Sequence, residues 1–564
     1  MQRPMLSRLR ATRFATPNAL TFAVLACILV VMATATVAAM RTTSTTFDEI
    51  AFIAGGARGY ETGTFDLAAD HPPLMQYIYG LPAALAGASL PDESSVTPEA
   101  RQHPGYHYGY AAEFFWGVGN DPERMAFLGR LPAVMMALGL VLATFFFTRS
   151  HWGPYTALLA AALVAFLPDV LAHGGVAYSD VPVTLALFGA AWSLDEAVRK
   201  PSWRRGILVG LLAGLGLAVK ISAAALVPLA AALIVFELIA RSRARGVDGR
   251  ADSRARWGRD VAVAALAAAL AAYAVLVLVY RGDVLLEQFR YGFAFRFRHM
   301  STGHGAPGYL LGETSVTGWW YFFPVAFLFK TSAGLHVLLA ISLIALVVTV
   351  RAHTHRVLSS PLRVAVLGVT IFGSILLSSN LNIGFRYALP VLPWICVITA
   401  VGVRLAWRTA MSMVRAVIVL ATVVAVAFPL SYFPNFLSFI SEYGPARDEN
   451  HTVLVDSSLD WGQGLLALRD YMRDNGIPSI YLSYFGSARP DGYGIEYVPL
   501  PSFFPLAPRA APSVTPQWVA ISATNLQGVY LDGDPLSMFR DTRPDTVLAH
   551  SILLFRIESP EAAR

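Results

Sequence analysis

The chain has 564 residues, 55% of them hydrophobic and 14% charged, with a formal net charge of +6 and a mean hydropathy of +0.52. A soluble domain carries nearer a quarter charged residues, so this balance excludes an ordinary soluble protein and marks a polytopic membrane protein. The positive charge does not imply nucleic acid, because basic residues in membrane proteins mark inner loops, and the two cysteines, Cys27 and Cys396, both lie in apolar runs and imply no disulfide framework.

Taken in chain order, the first apolar run covers about Asn18 to Met40, behind Arg3, Arg8, Arg10 and Arg13. It is too long for a signal-peptide core and reads as a retained span. "TTSTTFDEIAFI" follows at 42–53, with the acid pair Asp48 and Glu49 where the span ends. Residues 72–90 are apolar but rich in Pro and Gly, and read as re-entrant or interfacial. Further apolar runs lie near 125–148, 153–172, 180–198, 205–221, 222–240, 260–280, 319–350, 363–380, 387–405 and 413–433. At roughly 20 residues per crossing this predicts about eleven spans.

With the N-terminus inside, the inner loops are 149–152, 199–205, 241–259, 351–363 and 404–415, and every arginine-dense loop falls among them. An extra span at 72–90 would invert them all, against the positive-inside rule. Outer loops are then expected at 41–124 and 282–318. The expected architecture is mainly α: a transmembrane helical bundle over 1–434, followed by a small extracytoplasmic α/β domain over 435–564. In that tail "HTVLVD", "SIYLSYFG", "QWVAISA" and "SILLFRI" read as strands, and "GQGLLALRDYMRDNG" as an amphipathic helix ending at Gly476.

Ionisable groups are costly near the membrane, so their placement is informative. The span centres are almost free of charge, and the polar residues gather at the expected outer ends. These are Asp48, Glu49, Asp70, His71, Asp169, Asp180, Lys220, His299, His304, Lys330, Arg386 and Tyr387. Each alone has a bland reading as an interfacial anchor or a snorkelling cation. Together they place acids, imidazoles and cations at one depth. Carboxylates with a histidine suit Mg²⁺, Mn²⁺ or Zn²⁺. Lysine and arginine suit phosphate oxygens. A free carboxylate suits a general base. That combination beside a bilayer points to a lipid-phosphate donor whose leaving phosphate must be stabilised.

The ordered motifs "FDE", "DHPPL", "AHGGVAYSDVP", "LAVKISAAALVP", "GHGAPGYLLGETSVTGWWYFFPVAFLFKT", "GFRYALPVLP" and "DSSLDWGQGL" resemble those of the GT-C superfamily of membrane glycosyltransferases. The likeness is nearest to glycosyltransferase family 39 and the lipid A aminoarabinose transferases, phospholipid carrier-dependent enzymes. The resemblance implies transfer of a sugar from a polyprenyl-phosphate donor to a glycolipid, envelope polymer or protein, at the outer face of the plasma (bacterial inner) membrane. It implies Asp48 as general base beside Glu49, and Lys220, Arg386, Tyr387 and His71 on the donor-phosphate side. Asp70 and His304 are implied as metal ligands, with Asp180 and His299 in support. His71 departs from relatives that carry lysine there. Asp456, Asp460, Trp461 and Gln463 fit either an acceptor contact or a turn and N-cap before the 462–474 helix.

Two other classes compete. A transporter or flippase needs polar groups at the membrane midplane and usually repeated halves, and neither is visible. A sensor or scaffold needs far fewer spans.

Overall fold

The computed structural model describes residues 19–557 except 66, 69–70, 95–104, 244–250, 303–304, 306, 359–360 and 513. The expected apolar runs all fold as helix, but fewer of them are uninterrupted spans than expected. Six described helices are long and apolar enough to cross a bilayer: Ala19–Met40, Pro122–Trp152, Asp180–Arg199, Ile221–Ser242, Arg254–Val279 and Ser412–Leu430. A pair bent by 115°, Phe322–Lys330 and Ala333–Thr349, raises the count to seven. The remaining runs are short or broken. The run at 153–172 divides into Pro154–Ala165 and Pro168–His173, because Pro168 has no N–H to continue the helical ladder. Leu362–Leu377 has only 16 residues. Leu74–Leu85, in the stretch read as re-entrant, has 12 residues, about 18 Å at the helical rise.

Two close helix contacts fix the bundle around the site. Helix Glu49–Thr62 crosses Leu74–Leu85 at Gly56 and Gly80, where a Cβ on Gly56 would lie 1.9 Å from the Gln76 carbonyl oxygen. Further along, Gly206, Gly210 and Gly214 line one face of helix Trp203–Val219. Their missing side chains let it meet Ala264, Ala268 and Ala272 backbone to backbone, the small-residue packing of membrane helices.

The C-terminal part carries a five-stranded sheet in the order β4-β3-β5-β7-β6. Its strands are β3 (Ile480–Ser483), β4 (Tyr497–Pro499), β5 (Trp518–Ser522), β6 (Thr546–Leu548) and β7 (Ile552–Arg556). β3 is parallel to β4 and β5, and β7 is antiparallel to β5 and β6. Helix Leu465–Asp474 covers it, and Gly476 follows at φ 63°, the left-handed stop the sequence predicted. "HTVLVD" is not a strand: Val453, Leu454 and Val455 are buried as irregular chain. There the Val453 carbonyl accepts the Leu311 N–H from the hairpin β1 (Gly308–Leu310) and β2 (Glu313–Ser315).

Residues 44–47 form the seam between bundle and C-terminal domain. The Ser44 N–H donates to the Gln463 carbonyl (3.1 Å) and the Phe47 N–H to the Trp461 carbonyl (2.9 Å). Ser44 Oγ donates to the Gly462 carbonyl (2.8 Å) and accepts from the Leu465 N–H (3.1 Å). The chain immediately before Asp48 is thereby pinned from both sides.

Candidate active site

Asp48 occupies the N-cap of helix Glu49–Thr62 yet makes no capping hydrogen bond. An N-cap aspartate ordinarily turns onto the helix N–H groups. Here the carboxylate turns outward and accepts a 2.6 Å hydrogen bond from Tyr108 Oη. Glu49, one residue on, faces the opposite way. It is fully buried, paired to Arg130 Nε and Nη2 at 2.9 and 2.8 Å, and accepts the Ala177 N–H at 2.8 Å. Expected beside Asp48 as a second catalytic acid, Glu49 instead ties three parts of the bundle together.

Asp48 opens into a cavity of about 530 Å³ lined also by His71, Tyr108, Tyr178, Arg296, Arg386, Tyr387, Asp456 and Trp461. Arg386 stands on the short turn Phe385–Ala388. Its Nη1 lies 3.6 Å from Asp48 Oδ2 and 3.8 Å from Asp180 Oδ2, and its Cζ sits 4.1 Å from the centre of the Trp461 ring. The side chain is 5% exposed, and its Nε and Nη1 have no hydrogen-bond partner among the described residues. Buried donors left without a hydrogen bond are costly, and here the Asp48 and Asp180 carboxylates offset part of that cost at ion-pair distance. Also lining the cavity, His71 Nε2 is hydrogen-bonded to Arg296 Nη2 of helix Glu287–Thr302.

Lys220 does not line the cavity, contrary to its expected contact with donor phosphate. Helix Trp203–Val219 ends just before it, and its Nζ bonds Asp180 Oδ1 at 2.5 Å, 4.8 Å from the Tyr387 ring centre. Asp180, buried at the start of helix Asp180–Arg199, therefore joins Lys220 and Arg386. Asp70 and His304 lie outside the described residues, as does the side chain of His299, on helix Glu287–Thr302. Among the described residues no three His, Cys, Asp or Glu side chains are grouped as a metal would need.

The C-terminal domain closes the cavity. Asp456 has φ 53°, a left-handed conformation uncommon outside glycine, and its carboxylate accepts from the Ser457 N–H and from Tyr530 Oη. Burial pushes Asp456 up to about 6. Asp460 is turned away from the cavity. Its Oδ2 accepts the Thr524 N–H at 3.0 Å, and burial pushes it up to about 7. Gln463 binds the Leu459 carbonyl and the Trp461 N–H, so it shapes the turn. The N-cap of the following helix is Gly464, with no side-chain bond, which sets aside the N-cap reading of this motif. Behind Trp461, Lys330 is fully buried and donates to the carbonyls of Leu437, Phe439 and Ser458 at 2.7, 3.1 and 2.7 Å, with Asp169 Oδ2 at 3.9 Å.

Tyr108, Arg296 and the aromatic residues of the C-terminal domain were not singled out from the sequence. Tyr108 lies on helix Tyr106–Trp116, Arg296 on helix Glu287–Thr302 and Phe503 and Phe504 on irregular chain, and only long-range folding brings them to one cavity with Asp48.

Residues 104–247 match the family model described as dolichyl-phosphate-mannose-protein mannosyltransferase. No curated protein matches the sequence. Solved structures similar to this chain include ArnT from Cupriavidus metallidurans bound to undecaprenyl phosphate, 13% identical with a TM-score of 0.45, covering 67% of this chain and 60% of that one. The apo form of the same protein gives 14% identity and a TM-score of 0.42, covering 72% of this chain and 66% of that one. Archaeal oligosaccharyltransferase AglB from Archaeoglobus fulgidus, in complex with an inhibitory peptide and a dolichol-phosphate, is 12% identical with a TM-score of 0.46, covering 76% of this chain and 57% of that one. The chain thus spans less than two thirds of the length of each.

Proposed function

We propose that this protein is a glycosyltransferase that moves a sugar from a polyprenyl-phosphate donor to an acceptor, with Asp48 as general base. The observation that carries the reading is the shared cavity of Asp48 and Arg386, a proton acceptor 3.6 Å from a buried guanidinium that lines the same cavity. The acceptor hydroxyl or amine gives its proton to Asp48 as its heteroatom attacks the anomeric carbon, with inversion. The bond from that carbon to the phosphate oxygen breaks, and its electron pair stays on the phosphate. Arg386 faces the growing charge, with His71 and Arg296 lining the same cavity. Asp180, paired with Lys220, serves this by holding Arg386 in place at ion-pair distance.

The match of residues 104–247 supports the donor class. The sidedness follows from charge. Asp180 and Arg199 mark the two ends of one 20-residue helix, about 30 Å long. The cavity lies at the Asp180 end, and the arginine-dense segments, including Arg199, Arg241 and Arg363, gather at the other. Basic loops stay inside, so the cavity opens outward.

The test is binding of undecaprenyl phosphate to the purified protein. Wild type is expected to bind, and Arg386→Ala to weaken binding by about tenfold or more through loss of charge-assisted hydrogen bonds. Equal binding by both would remove Arg386 from the donor site.

A further inference from the structure

The cavity is divided by charge. Its arginines, Arg296 and Arg386, and its histidines come from the membrane part, whereas the C-terminal domain contributes one carboxylate, Asp456, and otherwise aromatic rings. Those rings form a continuous wall between the two acids. Tyr108 donates to Asp48, and its ring lies 5.2 Å from Phe504. Phe504 lies 5.1 Å from Phe503, and Phe503 5.0 Å from Tyr530, which donates to Asp456. Phe485 stacks on Tyr530 at 5.4 Å. The strained backbone at Asp456 turns its carboxylate into this wall rather than out to solvent.

We propose that Asp456, Tyr530 and the rings of Phe485, Phe503 and Phe504 form the acceptor subsite, and that it takes a saccharide or aminosaccharide ring without a phosphate group. Aromatic faces pack against the C–H face of a sugar ring, and a carboxylate accepts hydrogen bonds from its hydroxyl or ammonium groups. Arg386 stands at the Asp48 end of the cavity, and the wall itself carries no lysine or arginine, so a phosphate ester packed on these rings meets the Asp456 carboxylate with no cation among the residues it touches. The proposal rests on the glycosyltransferase reading and narrows its acceptor. Asp456 acts here by positioning; the proton still goes to Asp48.

The test uses the full-length protein in detergent and three probes: butyl glucoside, its 2-amino analogue and butyl glucoside 6-phosphate. Binding is followed by saturation-transfer NMR without donor. The neutral and amino probes are expected to bind and the phosphate probe to bind at least about tenfold more weakly. Asp456→Asn is expected to weaken the neutral probe by about tenfold. Phe503→Ala, at a ring that is 38% exposed, is expected to weaken it too. Phosphate-probe binding equal to the neutral probe, no binding of any probe, or unchanged binding in both variants overturns the proposal. Failure of wild type to bind undecaprenyl phosphate would instead sink the donor reading, which separates the two.

Discussion

Asp48 Oδ2 and Arg386 Nη1 are 3.6 Å apart, close enough for attraction and too far for a strong hydrogen bond. The gap is what the proposed chemistry requires. A tight pair would hold the aspartate as a structural anion, whereas this one keeps a lone pair for an acceptor proton and leaves arginine donors for phosphate.

Asp48 and Glu49 are adjacent, and the structure predicts opposite phenotypes. Glu49→Gln breaks a buried pair and strands the Arg130 guanidinium. It is expected to cost about 3–5 kcal/mol and to lower the folded yield sharply. Thermal unfolding of the detergent-purified protein checks this, and a Tm close to wild type would contradict the structural role.

Lys330 holds the domain junction. Lys330→Met leaves Asp169 without its cation and three carbonyls without a donor. A loss of at least about 3 kcal/mol is expected, with faster proteolysis in 435–464, the chain that leads from the last span into the domain. Protease-cleavage rates that match wild type would argue against it.

Helix packing makes a sharp contrast between two glycines. At Gly210 a Cβ would lie 2.2 Å from the Ala268 carbonyl oxygen, while at Gly258 nothing lies within 4 Å. Gly210→Leu is therefore expected to abolish folded protein, and Gly258→Leu to be tolerated within about 1 kcal/mol. Size-exclusion profiles of the two variants decide it, and similar monodisperse peaks would refute the close crossing.

The pH dependence of stability follows from Asp456 and Asp460. Burial raises their pKa values to about 6 and about 7, above an unfolded value near 3.9. Between about pH 4 and pH 7 the folded state then holds protons that the unfolded chain has released, so stability falls as pH rises. Asp460→Asn removes its part of that slope. Its stability relative to wild type is expected to improve by roughly 2 kcal/mol from pH 5 to pH 8, and parallel unfolding profiles would speak against the burial of a charge there.

Much of the bundle was legible because apolar length is a strong signal. The breaks within it were not, because that before Pro168 and the bend between Lys330 and Ala333 divide runs that look continuous. Among the site residues, Asp48, His71, Arg386 and Tyr387 meet at the cavity because each closes or opens an element at one depth. Glu49 misled because neighbouring positions on a helix point about 100° apart, so a pair in sequence is not a pair in space. Lys220 misled because its charge is taken by Asp180, 40 positions away in sequence. Tyr108 and the Phe503–Phe504 loop carry no local pattern that distinguishes them from any aromatic loop.

The most direct measurement of the central claim is mass spectrometry of the cell envelope from cells making wild type, no protein, or Asp48→Asn. The account predicts a component heavier by one sugar with wild type. It predicts that component lost or reduced by at least about a hundredfold with Asp48→Asn, although the variant reaches the membrane at the wild-type level. Undiminished sugar addition by Asp48→Asn would contradict it.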